Sequence, residues 1–164
     1  MLWSKNTNNQ SIKTGINFGL TSAVITTFGL MVGLTTGTGL KLAVLGGILT
    51  IAIADSFSDA LGIHISEESK EGSNLKQVWL ATISTLLSKF IFTLTFAIPV
   101  LLFELPVAIM IGGVWALILL IAISTKIALS QNKKPLKIIS EHLIIATIVI
   151  AMSYYTGIAI NKFF

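Results

Sequence analysis

The chain contains no cysteine and no arginine, has only three prolines, and carries charge on just 11% of its residues. Without cysteine there is no disulfide framework, no thiolate metal site and no cysteine nucleophile. The shortage of charge is more restrictive. With 54% apolar residues and a mean hydropathy of +0.88, the chain cannot build a water-facing surface of ordinary make-up, so lipid must solvate it. Its 164 residues hold roughly five spans of about 20 residues with short connections, and no soluble appendage. The eleven basic residues are all lysines and the net charge is +4. They fall mainly between apolar runs, so they read as topology-setting charge, and nucleic acid is not expected as a partner. A cleavable signal peptide is not expected either, because the first fourteen residues are polar and the first apolar run is too long and lacks a cleavage site.

What is present is a series of long apolar runs, at about 15–35, 42–65, 77–103, 107–129 and 138–161, after a polar stretch over 1–14. Backbone groups in hydrocarbon must be hydrogen-bonded within their own segment, so such runs become helices. The expected fold is therefore an all-α membrane protein, a single five-helix transmembrane domain over 15–164 with a polar cytoplasmic N-terminus over 1–14. Pro99 removes one helical hydrogen bond inside the third run and predicts a kink or an early end there. Lys5, Lys13, Lys70, Lys76, Lys126, Lys133, Lys134 and Lys137 gather on the N-terminal side, against Lys41 and Lys162 on the other. The positive-inside bias then places the N-terminus in the cytoplasm and, most simply, the protein in the cytoplasmic membrane.

The second run holds the most informative residues, in the segment Ala52-Ile53-Ala54-Asp55-Ser56-Phe57-Ser58-Asp59. One carboxylate at the centre of a membrane helix costs about 2.5 to 3.5 kcal/mol on insertion scales, so two of them mark a polar interior or a water-filled cavity. Spaced four apart, Asp55 and Asp59 lie about 40° from each other around a helix, on one face. Farther along come Glu67, Glu68 and Glu71, which extend the carboxylates to the cytoplasmic surface. Hard divalent cations take such oxygen ligands, which makes these five acids the candidate metal residues. The plainer alternative has the aspartates bonding to neighbouring helices and the glutamates as solvated charge. Lys89, central in the third run and flanked by Thr82, Thr85, Ser88 and Thr93, should form a salt bridge to Asp55 or Asp59. That pair is either a structural clamp or a charge partner that a metal ion displaces, with proton exchange open to it because desolvation disfavours charged forms.

In the first run, Gly15 with Gly19 and Gly29 with Gly33 have the spacing that lets helix backbones approach closely, within the chain or between subunits of a dimer. The hydroxyls of the same run, Thr21, Ser22, Thr26 and Thr27, either line a path or bond to their own helix. His64 is read as interfacial and a weak ligand. Glu141 and His142 are read as first-turn residues of the fifth helix, capping it, and Met31, Met110 and Met152 as packing or lipid-facing.

Gly19-Leu20 followed by Thr26-Thr27-Phe28-Gly29-Leu30-Met31-Val32-Gly33, together with Ala52-Ile53-Ala54-Asp55-Ser56-Phe57-Ser58, resembles the first two helices of the vacuolar iron transporter family. In motif the likeness covers about residues 15 to 70. It implies a dimer of five-span subunits exchanging ferrous or manganous ions for protons, with Asp55 in place of the family's intramembrane glutamate and Glu67 and Glu68 near its acidic inner end. The chain has Phe18 where the family's first helix usually presents an aspartate, and only Ser66 to Lys76 where plant members carry a metal-binding domain. The expected function is proton-coupled export of iron or manganese by a homodimer, with the metal as cargo, no tightly bound cofactor and no enzyme activity. Two aspartates on one helix face suit binding better than an acid–base dyad across a scissile bond. The alternative function is a non-transporting membrane protein stapled internally by its charges.

Overall fold

The computed structural model describes the backbone of residues 2–163 and the side chains of residues 7–163. It is a bundle of six helices that make five spans: α1 Leu2–Thr38, α2 Lys41–Glu68, α3 Leu75–Thr95 with α4 Ala97–Leu102, α5 Leu105–Ser130 and α6 Pro135–Phe163. This is the all-α five-helix membrane architecture expected from the apolar runs. The spans start ahead of their apolar runs and, the third apart, end beyond them, because hydropathy marks the part that lipid can solvate whereas a helix ends only where its backbone is broken or capped. The polar residues before Gly15 are thus part of α1, having no proline or glycine to interrupt it.

The breaks have local causes. Gly39 ends α1 in the left-handed region, at φ 62°, with its N–H donating to the Thr35 carbonyl. Gly72 (φ 71°) turns the chain between α2 and α3, where the Asn74 side chain caps α3 by accepting from the Lys76 N–H at 2.9 Å. Pro106 stands at the start of α5 and Pro135 opens α6, positions where a missing N–H costs nothing. Pro99 splits the third span. Its nitrogen cannot donate to the Thr95 carbonyl and its ring crowds that carbonyl, so α3 closes at Thr95 and the chain resumes as α4 after Phe96, whose N–H turns back to Thr93 O at 3.1 Å. The outcome is a kink. Trp115 of α5 braces it, its indole N–H donating to Thr95 Oγ1 at 2.9 Å.

Helix α1 is the central post, packing against α2 and α3 on one side and α5 and α6 on the other. Its close approaches come from small residues. A Cβ on Gly15 or Gly19 would overlap α3, at Ala81 O and Ser88 Oγ respectively, while Gly29 and Gly33 face Ser153 of α6. Both glycine pairs therefore join helices within the chain. The apolar core runs through Val24, Met31, Val44, Ile48, Phe96, Val100 and Leu120. The outer face of α2, with Ile53, Phe57, Leu61 and Ile65, is exposed and offers an apolar surface to the bilayer.

Candidate functional site

Close packing of α1, α2 and α3 brings three polar features to one point. Asp55 and Asp59 project from α2 one turn apart, and Lys89 projects from α3 between them, its Nζ 2.5 Å from an oxygen of each. Its third partner is Ser22 of α1, whose Oγ accepts at 2.8 Å. A lysine ammonium has three N–H donors and no acceptor, so all three are used. Lys89 is 0% exposed, which is tolerable in hydrocarbon only with such complete pairing. By formal count the groups do not balance, two acids facing one lysine.

The cluster is open on one side. The Asp59 side chain is 19% exposed and that of Asp55 32%. Asp55 borders an open groove of about 510 Å³ between α1 and α2, lined also by Thr26, Leu30, Ile51, Ala54 and Ser58. Oxygen donors are therefore present on both walls, although the Thr26 hydroxyl gives its hydrogen to the Ser22 carbonyl at 2.9 Å. The Ser56 hydroxyl, buried on the inner line of α2, has no hydrogen-bond partner.

The other sequence-predicted residues stand apart from this cluster. Glu67 pairs with Lys70 at 2.6 Å and, with Thr7, Gln10, Ser11, Thr14 and Gln77, lines a small polar pocket of about 140 Å³ where α1, α2 and α3 meet at their polar ends. Glu68 and Glu71 are exposed. Among the described residues no three histidine or carboxylate side chains converge in a group able to hold a metal ion. Thr82 and Thr85, near Lys89, donate to carbonyls of their own helix at 2.8 Å, and Ser88 reaches the Thr85 and Gly15 carbonyls.

His64 packs edge-on against Trp79, and its Nδ1 lies 3.0 Å from Thr82 Oγ1. Thr82 Oγ1 also lies 2.8 Å from its own helix's Val78 carbonyl. Glu141 and His142 do not cap a helix. The fifth span begins at Pro135, one and a half turns earlier, which leaves Glu141 exposed and His142 Nδ1 paired to Ser124 Oγ at 2.7 Å. Met31 is core, packed beside Gly112, whereas Met110 and Met152 are exposed.

Sequence reasoning expects Ser22 only among the α1 hydroxyls that line a path or bond to their own helix, not as a partner of Lys89. The available signal was its position three residues after Gly19 and seven after Gly15, on the stripe where α1 approaches α3 most closely. No protein-family model matches the chain, and no curated protein or solved structure is similar enough to count as a match.

Proposed function

We propose that the protein transports divalent metal ions, iron or manganese, from the cytoplasm outward in exchange for protons, through the cluster of Asp55, Asp59 and Lys89. One observation carries this reading: two intramembrane carboxyl groups on one helix face share a single lysine and reach an open groove at Asp55. Hard divalent cations take carboxylate and hydroxyl oxygens, and Asp55, Asp59, Ser58 and Thr26 supply them within one helical turn of the groove. Lys89 is the resident positive charge, and an arriving ion takes its place between the carboxylates. Glu67, Glu68 and Glu71 raise the local cation concentration at the polar end of α2. The likeness of the first two helices to vacuolar iron transporters supports the same assignment and a homodimer.

A second reading, a structural staple, draws on a different observation: the Lys89 ammonium is already saturated by three acceptors. Uptake of ferrous and manganous ions into proteoliposomes separates the two. The transport reading expects native protein to load the vesicles with accompanying proton movement and Asp55→Asn to lose most of that flux. Absence of uptake by native protein, or undiminished uptake by Asp55→Asn, supports the staple.

A further inference from the structure

The lysines at the polar end of the bundle divide evenly between the α1–α3 side (Lys5, Lys13, Lys70, Lys76) and the α5–α6 side, but the carboxylates do not. The connection from α2 to α3 sets Glu67, Glu68 and Glu71 against Lys70 and Lys76, and is net acidic. The end of α5 and the turn into α6 carry Lys126, Lys133, Lys134 and Lys137 with no carboxylate between them, and the one acid nearby, exposed Glu141, follows about a turn after Lys137 on α6 without pairing to it. All four lysines are exposed, and none forms an ion pair among the described residues. The two connections lie on opposite sides of α1, which stands between the α2–α3 pair and the α5–α6 pair. Topology needs only the lysines, so the scarcity of carboxylates beside those of the α5–α6 turn calls for a separate explanation.

The basic turn is also ordered and amphipathic. Asn132 adopts φ 53°, and the Lys133 N–H folds back onto the Ala128 carbonyl at 2.9 Å, which pins Lys133 and Lys134 at the helix end. Leu129 and Leu136, 65% and 81% exposed, flank the lysines. Apolar side chains directly beside unpaired ammonium groups match the boundary between acyl chains and phosphate headgroups.

From this we infer that the α5–α6 turn is a docking surface for anionic phospholipid headgroups, the lysines meeting the phosphates while Leu129 and Leu136 sit among the acyl chains. Juxtamembrane lysines each strengthen attraction to anionic lipid by about fivefold, so three of them together amount to roughly a hundredfold. The inference stands independently of the transport reading.

The test titrates detergent-solubilised protein with phosphatidylglycerol and, separately, with phosphatidylcholine, counting bound lipids by mass spectrometry. Native protein is expected to prefer phosphatidylglycerol, less so as salt is raised. The triple variant Lys133→Gln/Lys134→Gln/Lys137→Gln should lose at least about tenfold of that preference, since each lysine is worth about fivefold at an anionic lipid surface. The control Lys70→Gln/Lys76→Gln, on the acidic side, should retain it. The substituted lysines are exposed, and circular dichroism checks that the helices persist. Equal binding of the two lipids by native protein, a loss under tenfold in the triple variant, or an equal loss in the control overturns the inference.

Discussion

Replacing Lys89 by methionine keeps an unbranched apolar stem of matching length, with sulfur in place of Cδ, and removes the ammonium, which makes it the sharpest perturbation of the buried cluster. Asp55 and Asp59 would then face each other on one helix face with no cation between them and two negative charges in place of one. Removing one partner of a buried ion pair costs about 3 to 5 kcal/mol, and because the Asp55 side chain is 32% exposed and so not fully sealed in the protein, the lower end, about 3 kcal/mol, is expected. The aspartates should behave differently. Asp55→Asn or Asp59→Asn leaves Lys89 bonded to the remaining carboxylate and brings the cluster to neutrality, so each costs only about 1 kcal/mol, the scale of one weakened hydrogen bond. The variant carrying Asp55→Asn, Asp59→Asn and Lys89→Met together has no buried charge and should fall within about 1 kcal/mol of native. Titrating each protein in detergent micelles with sodium dodecyl sulfate, followed by circular dichroism, gives the four free energies. If Lys89→Met is no less stable than either asparagine variant, or the triple variant is as unstable as Lys89→Met alone, the charge accounting is wrong.

The glycine contacts give a matched pair of predictions. A Cβ at Gly19 would overlap Ser88 Oγ and come within 2.6 Å of the Thr85 carbonyl, so Gly19→Ala should destabilise by about 1 to 3 kcal/mol through overpacking. At Gly62 a Cβ meets nothing within 4 Å, and Gly62→Ala should instead stabilise by up to about 1 kcal/mol through helix propensity. The same unfolding titration checks both, and equal effects would contradict the assigned helix faces. At the kink, Trp115→Phe removes the indole donor to Thr95 and should cost about 1 kcal/mol. The same substitution in a Thr95→Val background should cost measurably less, since the partner is already gone. Full additivity would show that the bond contributes nothing.

How far the fold can be read from the residues varies with the kind of interaction. The kink is legible because Pro99 acts on its own helix. The helix ends are legible only in part, since apolar runs report where lipid begins and the breakers Gly39, Gly72 and Asn132 report where the helix stops. The reading of Glu141 as a cap fails for this reason: the apolar run begins at Ile138, but the helix begins at Pro135.

Composition and spacing alone determined that the chain is a five-span helical membrane protein, that Asp55 and Asp59 share a face, and that Lys89 needs a carboxylate partner. These follow from the cost of unpaired polar groups in hydrocarbon and from helical periodicity, both of which act along a single segment. Only the tertiary structure decided that Lys89 takes both aspartates and Ser22 at once, that Glu67 turns to Lys70 instead of joining them, and that the glycine pairs are used for α3 and α6 within the chain. Those outcomes depend on which faces of α1, α2 and α3 meet and at what height. Packing between segments sets that geometry, and no local pattern in the chain encodes it.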